Sequence, residues 1–390
     1  MRVCALRSLC AGLPFAHQLN KQACEAAHDD AHVVAAVVLF RHGARSPVFP
    51  MPAESLMPED VCTYNTMNAV PAGAATVAVH GGRRYARFAP HGAPGLLTDV
   101  GWAQGVAVGR RLYARYGLPD DDGPEVRSTD ISRTVLTARA VLTGLYEGKP
   151  VPNGLRIHVD TSPTMILDTT CTPLAETLIA GRAIHRESDV ANGSARAAVA
   201  QSFGASYDPQ ICGLIAVHDD CIARRFAGLP PHAFVDVSLC DYASREAARE
   251  VRAALRHGDS LSAHLSAGPL CELLANRLSV FAASSPPNEA KGPVKLVLLS
   301  GHDTSLMMLL NALDPKGALV SDGVWPPHTS CIALELLDNG NIRVCYQWEP
   351  LLTMHLDGFV EKLRAIAGQP RIAVGVSSGA ADGAVFRWSD

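Results

Sequence analysis

No uninterrupted run of eighteen apolar residues occurs in this chain, so a membrane-spanning helix is not expected; the best stretch, LVLLSGHDTSLMMLLNAL, is broken by His302 and Asp303. A surplus of positive charge is also missing. Lys plus Arg number 34 against 38 Asp plus Glu, a net charge of −4, whereas a nucleic-acid binder usually carries a basic excess. The longest block of like charge, Asp120-Asp121-Asp122, has the size of a loop rather than of an interaction tail. Eleven cysteines contain no C-x-x-C pair, which argues against a zinc ribbon. They are odd in number and scattered, as mostly buried thiols are, with one or two disulfides among residues 171–271 expected if the protein is exported. The histidines, among them His218, His257, His264 and His328, show no H-x-x-x-H or H-E-x-x-H spacing, so neither a metal nor another cofactor is expected. No GxxxxGK[ST] loop exists, which removes phosphotransfer of the P-loop type. G-x-S-x-G occurs at 375–379, but a serine esterase needs a later histidine and the last one is His355.

At 390 residues the chain is long for one core, so a domain with a large insertion is expected. Residues 1–30 read as a flexible or targeting segment. Arg2, Arg7 and Lys21 precede the first acid, Glu25, the bias of an organelle (mitochondrial) transit peptide, and MRVCALRSLCAGLPFA has the outline of a secretory or lysosomal signal broken by Arg7 and Pro14. Val33 to Phe40 is a continuous apolar, partly β-branched run, as in a strand buried on both faces. Residues 47–96 lack periodicity and read as a long loop or small cap. A helix is predicted over 96–117, capped by Thr98 or Asp99 and ended by Gly117. Further strands are predicted at 125–128, 155–159 and 294–299, and helices at 130–145 and 303–313. Asp338-Asn339-Gly340 joins 331–337 to 342–346 as a hairpin, and a last helix is predicted over 354–366. The alternation predicts an α/β core made of 31–169 and 286–368, a mostly helical inserted lobe at 170–285, and a tail at 369–390.

In open α/β sheets ligands bind beyond the carboxyl ends of the strands. Three such ends carry one kind of chemistry: Arg41, His42 and Arg45 after the first, Arg127 at the second, His302 and Asp303 after the third. Arginine forks match phosphate oxygens, and clustered guanidinium groups persist mainly where an anion joins them. A neutral imidazole is a nucleophile toward phosphorus, and a carboxylic acid beside it protonates a departing alkoxide. Singly, each residue has a plainer reading: Asp303 as a helix N-cap, Arg127 paired with Asp130, His302 as a buried hydrogen-bonding group. Their coincidence at the ligand end of the sheet favours an anion site with a nucleophile and an acid. Arg83, Arg84 and Arg87 are read as an exposed basic loop, and Phe49, Trp102, Trp325 and Trp348 as core packing rather than the lining of an apolar tunnel.

RHGARSP at 41–47 resembles the R-H-G-x-R-x-P motif of the histidine acid phosphatases, branch 2 of the histidine phosphatase superfamily, and Gly301-His302-Asp303 resembles their late His-Asp motif. LLTDVGWAQGVAVGRRLYARYG and VRSTDISRTVLTARAVLTGLY are similar to two of their helices, in the right order across roughly residues 33–365. RHGARSP, VRSTDISRTVL and WPP at 325–327 look most like the lysophosphatidic acid phosphatase branch. The resemblance implies a phosphoglycerate-mutase-like, mostly parallel mixed sheet flanked by helices. It implies His42 as the nucleophile forming a phosphohistidine, Asp303 as the proton donor, and Arg41, Arg45, Arg127 and His302 holding the phosphate. It further implies a metal-independent hydrolase of small phosphate monoesters, with lysophosphatidate favoured and an inositol polyphosphate as the alternative. A phosphomutase and a non-catalytic member of the fold are the remaining readings.

Overall fold

The computed structural model describes residues 31–48, 64–67, 69–82, 94–188, 213–230, 237–284 and 292–368. The G-x-S-x-G stretch at 375–379, Phe49 and Arg83, Arg84 and Arg87 lie outside them, as do residues 1–30 and the tail at 369–390. Among the described residues the strands are β1 (Val33–Arg41), β2 (Ala78–His80), β3 (Glu125–Thr129), β4 (Arg156–Asp160), β5 (Lys295–Gly301), β6 (Cys331–Leu337), β7 (Asn341–Tyr346) and β8 (Glu349–His355). The helices are α1 (Asp99–Tyr116), α2 (Ser132–Leu145), α3 (Thr172–Ser188), α4 (Leu214–Ala227), α5 (Val237–Arg256), α6 (Asp259–Ser284), α7 (Asp303–Leu313) and α8 (Leu356–Ala367). None of them is long and apolar enough to cross a membrane.

The strands form one sheet in the order β2-β4-β3-β5-β1-β6-β7-β8. The first five are mutually parallel, and β6, β7 and β8 continue from β1 as an antiparallel ribbon. β1 and β5 are central and apolar throughout because both their faces are covered. Ala36, Val38 and Phe40 point to the side of α1 and α2, whereas Val37 and Leu39 point to the side of α6, α7 and α8. The inserted helices α3, α4 and α5 share that second apolar cluster and pack on one another and on α6 and α7. α6 lies within 170–285 but also packs on β1 and α8, so it joins the layer that covers the sheet.

Two expectations are refined. The last helix begins at Leu356 rather than 354, because Val344 and Leu352 pair in a further antiparallel strand, β8, that the sequence reading left out. β2 falls in the stretch read as loop, its three residues pairing with β4 at the sheet edge. α1 runs as expected from a Thr98 cap, whose hydroxyl accepts from the Gly101 N–H, to Gly117 at φ 73°. α1 and α2 cross so closely that a Cβ at Gly109 or Gly144 would strike the other helix's backbone, so substitution at either would push apart the layer beneath the site. Among the described residues one disulfide, Cys221–Cys240, ties α4 to α5, while Cys171 and Cys271 are free thiols.

Candidate active site

β1 and β5 are parallel neighbours in register, with Arg41 opposite Gly301, so their carboxyl ends lie side by side. The His42 N–H donates to the Gly301 carbonyl at 3.0 Å, which seats the first motif directly against the second. After His42 the chain presses on the first turn of α1. A Cβ on Gly43 would collide with the Gly101 backbone, and a Cβ on Gly101 would collide with Ala44. The loop is pinned there by Gly43 N–H to Thr137 Oγ1 (3.1 Å), Ala44 N–H to Gln104 Oε1 (2.8 Å) and Thr98 Oγ1 to the Ala44 carbonyl (2.9 Å). His42 and its arginines therefore stand on a loop with little room to shift.

His42 is 1% exposed. Its Nδ1 lies 2.8 Å from the Gly43 carbonyl, which only accepts, so Nδ1 carries the proton and Nε2 keeps its lone pair. Burial, with Arg133, Arg41 and Arg45 adding repulsion, holds its pKa well below the usual histidine value, so the ring stays neutral. His302 lies edge-on at 5.5 Å between ring centres. Its Nε2 meets Thr129 Oγ1 at 2.9 Å and its Nδ1 lies 3.5 Å from Arg133 Nη2; it too is kept neutral, chiefly by burial and then by Arg133. Thr129 passes the contact on to Thr134, whose hydroxyl donates to the Ile131 carbonyl.

Three buried guanidinium groups surround these rings. Arg41 pairs with Asp303 Oδ2 at 2.7 Å and donates to the Pro326 carbonyl at 2.6 Å. Arg45 pairs with Asp219 Oδ1 at 2.7 Å, and Asp219 Oδ2 accepts the Val48 N–H at 2.6 Å. Arg133, in the first turn of α2, has its pKa lowered to about 9, mostly by burial and then by Arg45. The Nε–H of all three arginines is buried without a hydrogen-bond partner. Asp303 also accepts from Trp325 Nε1 (3.1 Å) and from the Thr304 N–H (2.8 Å). Burial alone would raise its pKa; Arg41 and Arg45 outweigh burial and hold it below the usual aspartate value, so it is a carboxylate when the arginines face it.

The structure thus brings Arg41, His42, Arg45, His302 and Asp303 together. It does not bring Arg127 with them. Arg127 sits two residues short of the carboxyl end of β3, and its side chain, 31% exposed, pairs with Glu125 (3.1 Å) and Asp160 (3.8 Å). The strand ends at Thr129 rather than at Arg127, and that end faces His302. Arg133 occupies the place expected for Arg127. It stands in the same VRSTDISRTVL segment, and the turn between strand and helix aims it back over the strand ends.

Three more residues belong to the cluster. His218 stacks on Trp325 at 4.5 Å and bonds Ser244 at 2.8 Å; its pKa falls to about 3 through burial and then Arg41. His328 lies 5.6 Å from His42 and 5.2 Å from Phe226 between ring centres. Asp219 is the third. Trp325, read from the sequence as core packing, packs on the core but also donates to Asp303, whereas Trp102 and Trp348 are buried in the core as expected. No spacing rule points to His218 or Asp219, because both arrive on α4, a helix between β4 and β5, rather than from a strand end. Among the described residues no group of three or more His, Cys, Asp or Glu side chains is arranged to hold a metal.

A neutral buried histidine ringed by arginines, with a carboxylate alongside, at the carboxyl edge of a mostly parallel sheet is a donor set with the chemistry to take a phosphate ester. The family model described as "Histidine phosphatase superfamily (branch 2)" matches residues 32–174. A "Lysophosphatidic acid phosphatase type 6" of Bos taurus is 27% identical over 328 residues, covering 77% of this chain and 72% of that protein. A "Lysosomal acid phosphatase" of Xenopus laevis is 27% identical over 339 residues, covering 79% and 67%. The fold is that of a phytase from D. castellii, with a TM-score of 0.56 at 12% identity over 90% of this chain and 83% of that one. Over residues 32–174 the chain is similar to branch 2 of the histidine phosphatase superfamily, and the curated relatives it resembles along most of its length are acid phosphatases, which are phosphoric monoester hydrolases.

Proposed function

We propose that the protein hydrolyses phosphate monoesters without a metal, through a phosphohistidine on His42. The observation that carries this reading is the coincidence of a neutral His42, its Nε2 free of a proton, with three buried arginines whose Nε–H groups have no partner. His42 Nε2 attacks phosphorus in line as the P–O bond to the leaving group breaks. Arg41, Arg45 and Arg133 take up the charge on the equatorial oxygens, and His302 orients one of them. Protonated Asp303 gives its proton to the departing oxygen, which leaves as an alcohol. Water then attacks the phosphohistidine, Asp303 accepts its proton, and inorganic phosphate and free His42 result. Asp303 is a carboxylate while it faces Arg41. A bound phosphate draws Arg41 away and adds negative charge beside Asp303, and both effects raise its affinity for the proton.

The favoured substrate is a lysophosphatidate-like lipid monoester. The lysophosphatidic acid phosphatases among the relatives support it, and so does the side-chain chemistry around the cradle. Phe226, Trp325, His218 and His328 are aromatic, and the neighbouring Asp219 is acidic. Two further arginines of the described residues are already held by carboxylates, Arg224 by Asp220 and Arg127 by Glu125. Neither of these two is free for the further phosphates of an inositol polyphosphate, the runner-up.

Hydrolysis of an aryl phosphate at mildly acid pH is the first test. His42→Ala is expected to lose all measurable turnover, and equal turnover by both proteins would remove the nucleophile from the account. A comparison of kcat/KM for lysophosphatidate and inositol hexakisphosphate then decides the substrate class.

A further inference from the structure

We propose that Asp219 is a specificity-determining residue of this pocket: its carboxylate occupies the side of Arg45 that a phosphate oxygen must take, so that substrate enters by displacing an internal anion. This rests on the reading of the arginine cluster as the phosphate cradle. Asp219 is 7% exposed and comes from α4, far in sequence from every motif of the site. It grips Arg45 Nη1 at 2.7 Å with one oxygen and the Val48 N–H at 2.6 Å with the other, so it is built into the cradle rather than lying across it. The Cys221–Cys240 bridge, two residues on, fixes its helix to α5.

The charges around Asp219 give it a consequence. Arg45 and Arg41 face it from the first motif and Arg133 from α2, while Asp303, at the start of α7 beside His302, pairs with the same Arg41. On its own helix lie His218 and the Asp220–Arg224 pair, and α5 presents Ser244 to His218 and Asp241 to Arg225. Three guanidinium groups against two carboxylates leave one net positive charge, with the imidazoles neutral. A phosphate dianion therefore overfills the cluster by one negative charge unless a proton enters with it, and the acid that takes the proton is Asp303. Asp219 thus couples binding of the dianion to loading of the proton donor. It also disfavours substrates that bring a second anionic group to this side. Without Asp219 the cluster would take a dianion with no proton.

Inorganic phosphate is the probe, measured as a competitive inhibitor of aryl phosphate hydrolysis at pH 5 and pH 7. Asp219→Asn keeps an acceptor for the Val48 N–H and removes the charge. It is expected to tighten the inhibition constant at pH 7 by about tenfold or more, with a smaller gain at pH 5, and to lower KM more than it changes kcat. A residue that merely propped the loop would loosen phosphate when replaced, so unchanged or weaker inhibition by a folded Asp219→Asn overturns the proposal. A readout without any variant is a structure of the wild-type protein with phosphate bound. The Asp219–Arg45 contact must open there, and its persistence at 2.7 Å beside a bound phosphate overturns the proposal equally. The two readings fail separately: an inactive His42→Ala with no gain from Asp219→Asn sinks only the role of Asp219, whereas a fully active His42→Ala sinks the cradle itself.

Discussion

Replacing Arg133 by alanine is expected to lower kcat/KM for any phosphate monoester by about 10²–10³-fold, the usual loss when one preorganised donor to a developing anion is removed. Arg127→Ala is expected to lose less than about threefold, as for a surface substitution. The two residues are six apart in one motif, yet their surroundings differ in kind. Arg133 is buried, coupled to Arg41, Arg45 and Asp303, and keeps an unpartnered Nε–H. Arg127 is part-exposed and already held by Glu125 and Asp160. Steady-state kinetics on the two variants checks this directly. A large loss for Arg127→Ala with a small one for Arg133→Ala would return the role to the strand residue.

Asp303→Asn separates proton donation from phosphate binding. For an alkyl ester such as lysophosphatidate, whose leaving alkoxide needs a proton, kcat is expected to fall by about 10²–10⁴-fold. For a nitrophenyl phosphate, whose phenolate leaves unaided, formation of the phosphohistidine is expected to lose far less. The pH dependence carries a sign. The ligand-free carboxyl is held below its ordinary range by Arg41 and Arg45, so its acid form exists only once phosphate engages those arginines. Turnover of the alkyl ester by the wild type therefore declines as pH rises and the bound-state acid form is depleted, and Asp303→Asn loses that limb. Equal losses for both esters across the pH range would show that Asp303 is not the acid.

Much of the site was legible because chemistry and topology coincide there. A doubly apolar run ending in Arg41-His42 and a second ending in His302-Asp303 are the two central parallel strands, and parallel neighbours put their carboxyl ends together. Arg127 misled because a short strand's last residue is poorly marked: Ser128 and Thr129 continue the pairing, so the end lies past the arginine. Arg133 was in plain view, but only the backbone turn into α2 shows that it points inward. His218 and Asp219 were illegible, since tertiary packing of the inserted helix alone brings them to the site. β8 was missed for a related reason. Its alternation, with Leu352 and Met354 partly buried and Thr353 and His355 exposed, runs straight into the periodic face of α8, and only pairing with β7 separates the two.

The central claim is that phosphate passes through His42. Wild-type protein mixed with an aryl phosphate, denatured within the first turnovers under alkaline conditions and mapped by mass spectrometry, is predicted to carry a phosphoryl group on the peptide containing His42. Asp303→Asn is predicted to accumulate more of it, because water attack on the intermediate has lost its base. Phosphate on a different residue, or rapid turnover that never leaves a labelled enzyme while His42→Ala stays active, would contradict the account.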